Sequence, residues 1–158
     1  MGGLSWSDLT ATPDEEAIAA LRSSWRWLLG DGWTPVLFSV WGDVFLKTDV
    51  GIVWLNTGTA ELSTIARDED ELRTLLTRDR IQEWFLPSLV ASLHADGKRP
   101  GVSQCFSYAI YPVFAEGKYE SWNFAAVPLR EHFEVSGHLH EQLASISDAK
   151  QVRMQVVP

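Results

Sequence analysis

Residues 36–55 have the sequence VLFSVWGDVFLKTDVGIVWL, and this stretch determines the class of fold that we predict. Runs rich in Val, Ile, Phe and Trp occupy residues 36–41, 43–47 and 52–55, and such side chains favour β-strands. Gly42 separates the first two runs, and Asp49-Val50-Gly51 separates the second from the third. Because connections this short join neighbouring strands of opposite direction, the stretch predicts an antiparallel meander.

The segments on either side of the meander predict a helix before it and a fourth strand after it. Thr12 is the expected N-cap, Pro13 suits the first helical position, and apolar residues continue at helical spacing to Leu29. Gly30 ends this helix. The fourth strand is predicted over Glu61–Ala66.

The second half of the chain predicts three helical runs, a strand pair and an edge strand. Asp68 is the expected cap of the first run, and Pro87 should split the second. Gly137 weakens the third, since glycine disfavours helix interiors. The predicted bounds are helices over 80–93 and 129–146, and strands over 104–110, 123–127 and 151–157.

This order of elements predicts an α+β fold in which an antiparallel sheet is packed with helices. A length of 158 residues suits a single compact domain over residues 1–158. Residues 1–24 are then an N-terminal extension together with the start of the first helix. The short polar stretch at residues 96–101 predicts a loop inside the domain and no boundary.

The charge balance argues against nucleic acid as a partner. Lys and Arg number 13 against 21 Asp and Glu, which gives a net charge of −8. Such a field repels DNA, RNA and acidic lipid surfaces. Residues 1–79 carry most of it, with 13 acidic and 6 basic side chains.

The sequence predicts a cytoplasmic protein without a membrane span. Residues 1–11 lack a basic region followed by an apolar stretch, and no apolar window approaches the roughly 18 residues of a span. Cys105 is the single cysteine, so an internal disulfide is excluded and a reducing compartment fits.

A search for catalytic and cofactor motifs favours a protein that is not an enzyme and holds no cofactor or metal. His138 and His140 lie two residues apart, so on a helix they point about 200° apart and cannot grip one ion. Cys105 lies in an apolar, strand-like run, where a free cysteine usually behaves as a small buried hydrophobe. His132 or His140 remains an alternative base for it, because such pairs form in space and not in sequence.

Two features point instead to a protein partner. The chain has eight tryptophans, and Trp33 is among those that the pattern does not bury, so it is a candidate anchor. Asp68, Glu69 and Asp70 belong to the densest acidic run. A helix start explains that run, but an acidic face also attracts a basic partner and accelerates association. We therefore assign these four residues as candidate partner-binding residues.

Five short motifs occur in an order that suggests a family. They are Val40-Trp41-Gly42-Asp43-Val44-Phe45-Leu46, Val53-Trp54-Leu55-Asn56-Thr57, Glu83-Trp84-Phe85-Leu86-Pro87, Gln104-Cys105-Phe106, and His132-Phe133 with Gly137-His138-Leu139-His140-Glu141-Gln142. From about Trp25 to its C-terminus the chain resembles the C-terminal domain of bacterial type VI secretion immunity proteins, the partners of DNase effectors, which often follows a GAD-like domain. Ser103 stands where the family has a glycine, and residues 111–117 depart from its Pro-Pro and Gly-Gly pattern.

The resemblance implies a protein that neutralises a toxin by binding it, and it transfers no catalytic residue. The expected partner is a basic nuclease, whose DNA-attracting cleft an acidic protein can occupy through complementary charge. The alternative hypothesis is a small-molecule-binding or enzymatic domain. Its pocket would be lined by Trp41, Trp54, Cys105, His132 and His140.

Overall fold

Four antiparallel strands form the centre of the molecule in the computed structural model, which describes residues 3–77 and 80–156. The strands are β1 (Thr34–Phe38), β2 (Val44–Thr48), β3 (Gly51–Asn56) and β4 (Glu61–Ala66). They lie side by side in chain order, and each pairs antiparallel with the next. The predicted meander and its fourth strand are confirmed.

The central strands alternate apolar side chains between the two faces of the sheet, and both faces are buried. Phe45 and Trp54 belong to the core cluster on one face, whereas Val44 and Leu55 belong to the cluster on the other. Successive residues of a strand point to opposite faces, so a strand apolar throughout its length needs a cover on each side.

Helices provide both covers. The first face carries α1 (Trp6–Leu9), α4 (Glu69–Leu76), α5 (Arg80–Phe85) and α6 (Pro87–Ala95). The second face carries α2 (Glu15–Ser24), α3 (Arg26–Leu29) and the long α7 (Leu129–Val156). A separate antiparallel pair, β5 (Gln104–Tyr108) and β6 (Phe124–Pro128), leads into α7.

The predicted α+β class with an antiparallel sheet is confirmed, and so is the split at Pro87. Pro87 begins α6 because it has no N–H to donate inside a helix, and α5 ends two residues earlier at Phe85. The strands predicted over 104–110 and 123–127 form β5 and β6 with shifts of one or two residues at their ends.

Three predicted boundaries were wrong. The first helix begins after Asp14, whose carboxylate accepts the N–H of Ala17, and it breaks at Trp25 before α3 begins. Trp41 lies in a tight turn and not in a strand. The edge strand predicted over residues 151–157 is wrong because residues 151–156 continue α7; Val157 lies outside the described residues.

Helix α7 continues through Gly137, which lies against α2. A Cβ at this position would come closer than 3.0 Å to the backbone of Ser24. The missing side chain therefore permits the helix packing that covers the second face of the sheet.

In the part of the chain that the structure describes, no helix combines the length and the apolar composition needed to cross a membrane.

Candidate functional site

A buried chain of polar side chains connects the meander to α7 and β5. Asp43 lies in the turn before β2, and Thr57 follows β3. Ser107 comes from β5, while His132 and His140 come from α7. All five are at most 8% exposed.

Thr57 is the centre of this polar chain. Its backbone N–H donates to Oδ1 of Asp43 at 2.8 Å, and its Oγ1 lies 2.7 Å from Nε2 of His132. Its carbonyl accepts from Nε2 of His140 at 2.9 Å. On the other side of the imidazole, Nδ1 of His132 lies 2.8 Å from Oγ of Ser107.

The hydrogen-bond pattern assigns the tautomer of His132. Thr57 Oγ1 lies 3.1 Å from the carbonyl of Gly42 and 3.1 Å from Oδ1 of Asp43, and both of those oxygens accept. Since the hydroxyl has only one proton to donate, Nε2–H of His132 donates to Thr57 Oγ1. Nδ1 then accepts from the hydroxyl of Ser107.

The turn at Gly42 allows the imidazole to lie against the backbone. Gly42 has a φ of 76°, a left-handed conformation that favours glycine, and a Cβ there would come closer than 3.0 Å to the ring of His132. Oγ of Ser39 stabilises the turn by accepting from the N–H groups of Trp41 and Asp43, each at 3.2 Å.

Burial governs the protonation of the cluster. It raises the pKa of Asp43 to about 7, although hydrogen bonds from Thr57 oppose the shift. It lowers the pKa of His132 to about 4, so the imidazole is neutral at pH 7. It also raises the pKa of Cys105 well above 9.0. Each of these pKa values is shifted in the direction that disfavours the charged form, because burial removes the water that would solvate the charge.

These states decide which chemistry the cluster can perform. Cys105 is fully buried and is held as a thiol, so it is not the activated nucleophile of the alternative hypothesis. Ser107 and His132 form a hydroxyl–imidazole contact that resembles a nucleophile with its base. Their partner on the far side is the hydroxyl of Thr57, whereas a triad places a carboxylate there.

Metal binding finds no support in this region. His138 is exposed and His140 is buried, so the two histidines lie on different faces of α7. Among the described residues, no group of three or more His, Cys, Asp or Glu side chains is arranged to hold a metal ion.

The five residues of the predicted small-molecule pocket do not line one cavity. Trp41 and Trp54 border a pocket of about 130 Å³ that also contains Asp43. His132 borders a different cleft of about 220 Å³ beside Ser107. Tyr108 lines both spaces and is the residue that they share.

The predicted partner-binding residues differ in how accessible they are. Asp68 is exposed but caps α4 by accepting from the N–H of Glu71. Asp70 pairs with Arg73 at 3.0 Å on the surface. Glu69 is exposed and borders a groove.

The prediction that Trp33 is an exposed anchor was wrong, because only 4% of its surface is accessible to solvent. The guanidinium of Arg22 lies 3.9 Å above its ring, and its Nε1 donates to the carbonyl of Gly30 at 3.1 Å. These contacts link the end of α3 to the start of β1. Sequence patterning missed this burial because neither contact has a helical or strand period.

Trp6 is the exposed tryptophan beside the acidic run, and sequence analysis did not select it as a site residue. It is 46% exposed and borders the groove of about 320 Å³ that contains Glu69, Val36 and Leu72. Helix α1 is too short to show a period. Its capping box, Ser5 with Asp8, is the sequence signal that indicates it.

The fold and this geometry define an α+β domain with a buried polar cluster, a pocket lined by Trp41 and Trp54, and a surface groove beside Trp6. No protein-family model matches the chain, and no curated protein is significantly similar to it.

Proposed function

We propose that this chain is an immunity protein that neutralises a bacterial toxin by binding it and covering its active site, and that the toxin is a basic nuclease. The proposal rests on the ordered motifs of the sequence, on the net charge of −8 and on one surface feature. That feature is the groove between α1, β1 and α4, which we call the Trp6 groove.

The Trp6 groove combines an exposed aromatic anchor with a rim that holds one carboxylate, Glu69, and one guanidinium, Arg73, and this combination carries the proposal. Trp6 and the edge strand β1 supply apolar surface, with Val36 and Leu37 in the wall. Glu69 supplies a carboxylate at the rim. Buried aromatic anchors contribute much of the affinity of an interface, while rim charges mainly accelerate the encounter.

The edge strand makes this side of the sheet suitable for a partner. β1 has one strand neighbour in the sheet, β2, and on its outer side the hydrogen bond from Ala11 to the carbonyl of Phe38 reaches only its last residue. Pro35 and the irregular register between Pro35 and Leu37 protect that edge against uncontrolled strand addition. A partner that occludes a nuclease cleft needs an interface of about 1,200 to 2,000 Å², so the contact must extend beyond the Trp6 groove.

Co-expression with the product of the neighbouring gene tests the proposal. We expect the chain to restore growth of cells that make the toxin and to form a stable complex with it. The double variant Trp6→Ala/Glu69→Lys should weaken the complex at least about tenfold, the loss of one anchor and one favourable charge.

The matched control is Trp122→Ala/Glu120→Lys. Trp122 is 54% exposed and also lies beside a glutamate, but it does not border the Trp6 groove. Equal loss of binding in both variants would assign the effect to general surface charge. Full protection by the Trp6→Ala/Glu69→Lys protein, with an unchanged melting temperature, would reject the groove as the contact.

A hydrolase is the second candidate, and the 2.8 Å contact of Ser107 with His132 favours it. Ser107 borders the cleft of about 220 Å³, so a substrate carbonyl could approach its hydroxyl. A fluorophosphonate probe tests this candidate, since it labels activated serines. Labelling that disappears in Ser107→Ala would favour the hydrolase over the immunity protein.

A further inference from the structure

The pocket of about 130 Å³ beneath α5 has walls that are mostly aromatic. It shares no lining residue with the Trp6 groove and shares Tyr108 with the cleft beside Ser107, and five of its nine lining residues carry indole or phenol rings. These rings belong to Trp41, Trp54, Trp84, Tyr108 and Tyr119. We call this cavity the aromatic pocket.

The rings of the aromatic pocket come from separate elements and are held at fixed angles. The indoles of Trp54 and Trp84 have centroids 6.2 Å apart and planes inclined by 43°. The phenols of Tyr108 and Tyr119 also lie 6.2 Å apart, and their planes are nearly perpendicular. The face of an aromatic ring is electron-rich and attracts cations, so a pocket lined by several such rings is a candidate site for a cationic group.

A carboxylate lies in the same pocket. Asp43 is only 4% exposed, and both of its hydrogen bonds from Thr57 end on Oδ1. Its Oδ2 has no hydrogen-bond partner among the described residues. Glu83 at the rim is already paired with Arg80 at 2.8 Å, and that guanidinium lies 5.4 Å from the ring of Trp84. Asp43 is therefore the carboxylate available to a ligand.

Trp54 and Trp41, which both line the aromatic pocket, differ in their indole N–H groups. Nε1 of Trp54 is buried and has no hydrogen-bond partner among the described residues, although Trp54 is only 7% exposed. Buried indole N–H groups usually find an acceptor, because an unpaired one loses its hydrogen bond to water. Trp41, in contrast, donates its Nε1 to the carbonyl of Phe85 at 2.8 Å.

The rim of the aromatic pocket contains a strained residue. Leu86 lines it with φ 46° and ψ 60°, a left-handed conformation that is rare for a branched side chain. Tyr119 and Glu83 at the same rim are exposed. Strained backbone of this kind concentrates at ligand clamps, where the surrounding structure holds it in place.

We infer that the aromatic pocket binds a small organic ammonium compound, whose cationic group lies among the rings beside Asp43. An apolar cavity of about 150 Å³ holds one benzene molecule, so this pocket suits about six non-hydrogen atoms. An anionic ligand would be repelled by the carboxylate of Asp43, and this repulsion is strong because the pocket has a low dielectric constant. This inference does not depend on the proposed immunity function.

Choline and its neutral isostere 3,3-dimethylbutan-1-ol test the inference, since they share a shape and differ in charge. We expect choline to bind saturably to the full chain in calorimetry and to bind at least about tenfold more tightly than the isostere. Equal affinity for the two compounds would identify a merely apolar cavity and overturn the inference. Absence of saturable binding of choline and of tetramethylammonium would also overturn it.

Two variants locate the site. Trp54→Phe replaces an indole with a smaller ring that attracts cations less strongly, so it should weaken the binding of both choline and tetramethylammonium. Tyr119→Leu should weaken both ligands, whereas the control Phe114→Leu should weaken neither. Tyr119 and Phe114 are 45% and 40% exposed, so the two substitutions disturb the surface equally. Parallel losses of both ligands in Phe114→Leu and Tyr119→Leu would place the binding elsewhere.

Discussion

Thr57 connects the meander to α7, and His132 extends this connection to Ser107 of β5. Its N–H, hydroxyl and carbonyl contact Asp43, His132 and His140. Buried polar groups that are fully paired specify one arrangement of their neighbours, because any other arrangement leaves one of them unpaired. The polar cluster therefore fixes how α7 lies on the sheet.

Asp43 and His132 should change the stability of the protein in opposite directions as the pH rises. The pKa of Asp43 rises from 3.8 to about 7 on folding, so between those values the native state keeps a proton that the unfolded chain has lost. Stability from Asp43 therefore falls as pH rises through this window. The pKa of His132 falls from 6.5 to about 4, so its contribution rises with pH between those values.

We predict that Asp43→Asn exposes the contribution of His132. The free energy of unfolding of the variant should increase as pH rises from about 4 to 6.5, while that of the unmodified chain changes less. The difference in free energy of unfolding between the variant and the unmodified chain should change by about 1.4 kcal/mol per pH unit, which is the value for the uptake of one proton. Urea titrations at several pH values measure it, and parallel curves would show that Asp43 titrates normally.

Gly42→Ala should destabilise the protein more than Gly97→Ala. Both glycines have a positive φ, 76° and 79°, so both substitutions cost backbone strain of about 1 kcal/mol. Only at Gly42 does the new Cβ meet the ring of His132; at Gly97 no atom lies within 4 Å. We expect an additional loss of about 2 kcal/mol at Gly42, measured by urea unfolding. Equal losses would show that the ring moves aside freely.

At the scale of elements, the packing of α7 against α2 is decided by small residues. Ser136 lies 3.3 Å from Nε1 of Trp25, and Gly137 lies against the backbone of Ser24. Small side chains let two helices approach closely, which brings His132 and His140 on the same helix within reach of Thr57. The helix pair thus positions the polar cluster.

Gly137→Ala tests this packing, because propensity and packing predict opposite signs. Alanine is about 1 kcal/mol better than glycine inside an isolated helix. Here we expect a net loss of about 1 to 3 kcal/mol, because the Cβ would overlap the backbone of Ser24. The control Glu134→Ala, at an exposed site of α7, should change stability by less than about 0.5 kcal/mol. A stabilised Gly137→Ala protein would contradict the close approach.

At the scale of the whole molecule, the net charge of −8 predicts that the rate of association with a basic partner depends on salt. Charges at the rim act over a distance that salt shortens to about 10 Å at 0.1 M. Glu69 is the suitable probe, since Asp68 also caps α4 and Asp70 is paired with Arg73.

We predict that Glu69→Lys slows association with a basic toxin several-fold at low salt and little at high salt. Stopped-flow or surface-binding kinetics at two salt concentrations measure this. Glu134→Lys carries the same change of charge on the opposite helical layer and should have a smaller effect. Rates that fall equally at both salt concentrations would indicate a lost contact at Glu69 and not electrostatic steering.

Local patterns predicted most elements of this fold. The meander, the strand at Glu61–Ala66 and the break at Pro87 each depend on neighbouring residues, so period and turn chemistry were sufficient. The ends of the first helix were misplaced because Asp14 competes with Thr12 as the cap, and both are acceptable cap residues.

The sequence by itself determined the α+β class, the acidic charge and the burial of Cys105, since these follow from composition and from apolar period. Only the tertiary structure decided that Trp33 is buried, that Trp6 is exposed and that Trp54 borders an aromatic pocket. Those outcomes depend on contacts between residues far apart in the chain. A tryptophan has the same pattern in the sequence whether another element covers it or leaves it open to solvent.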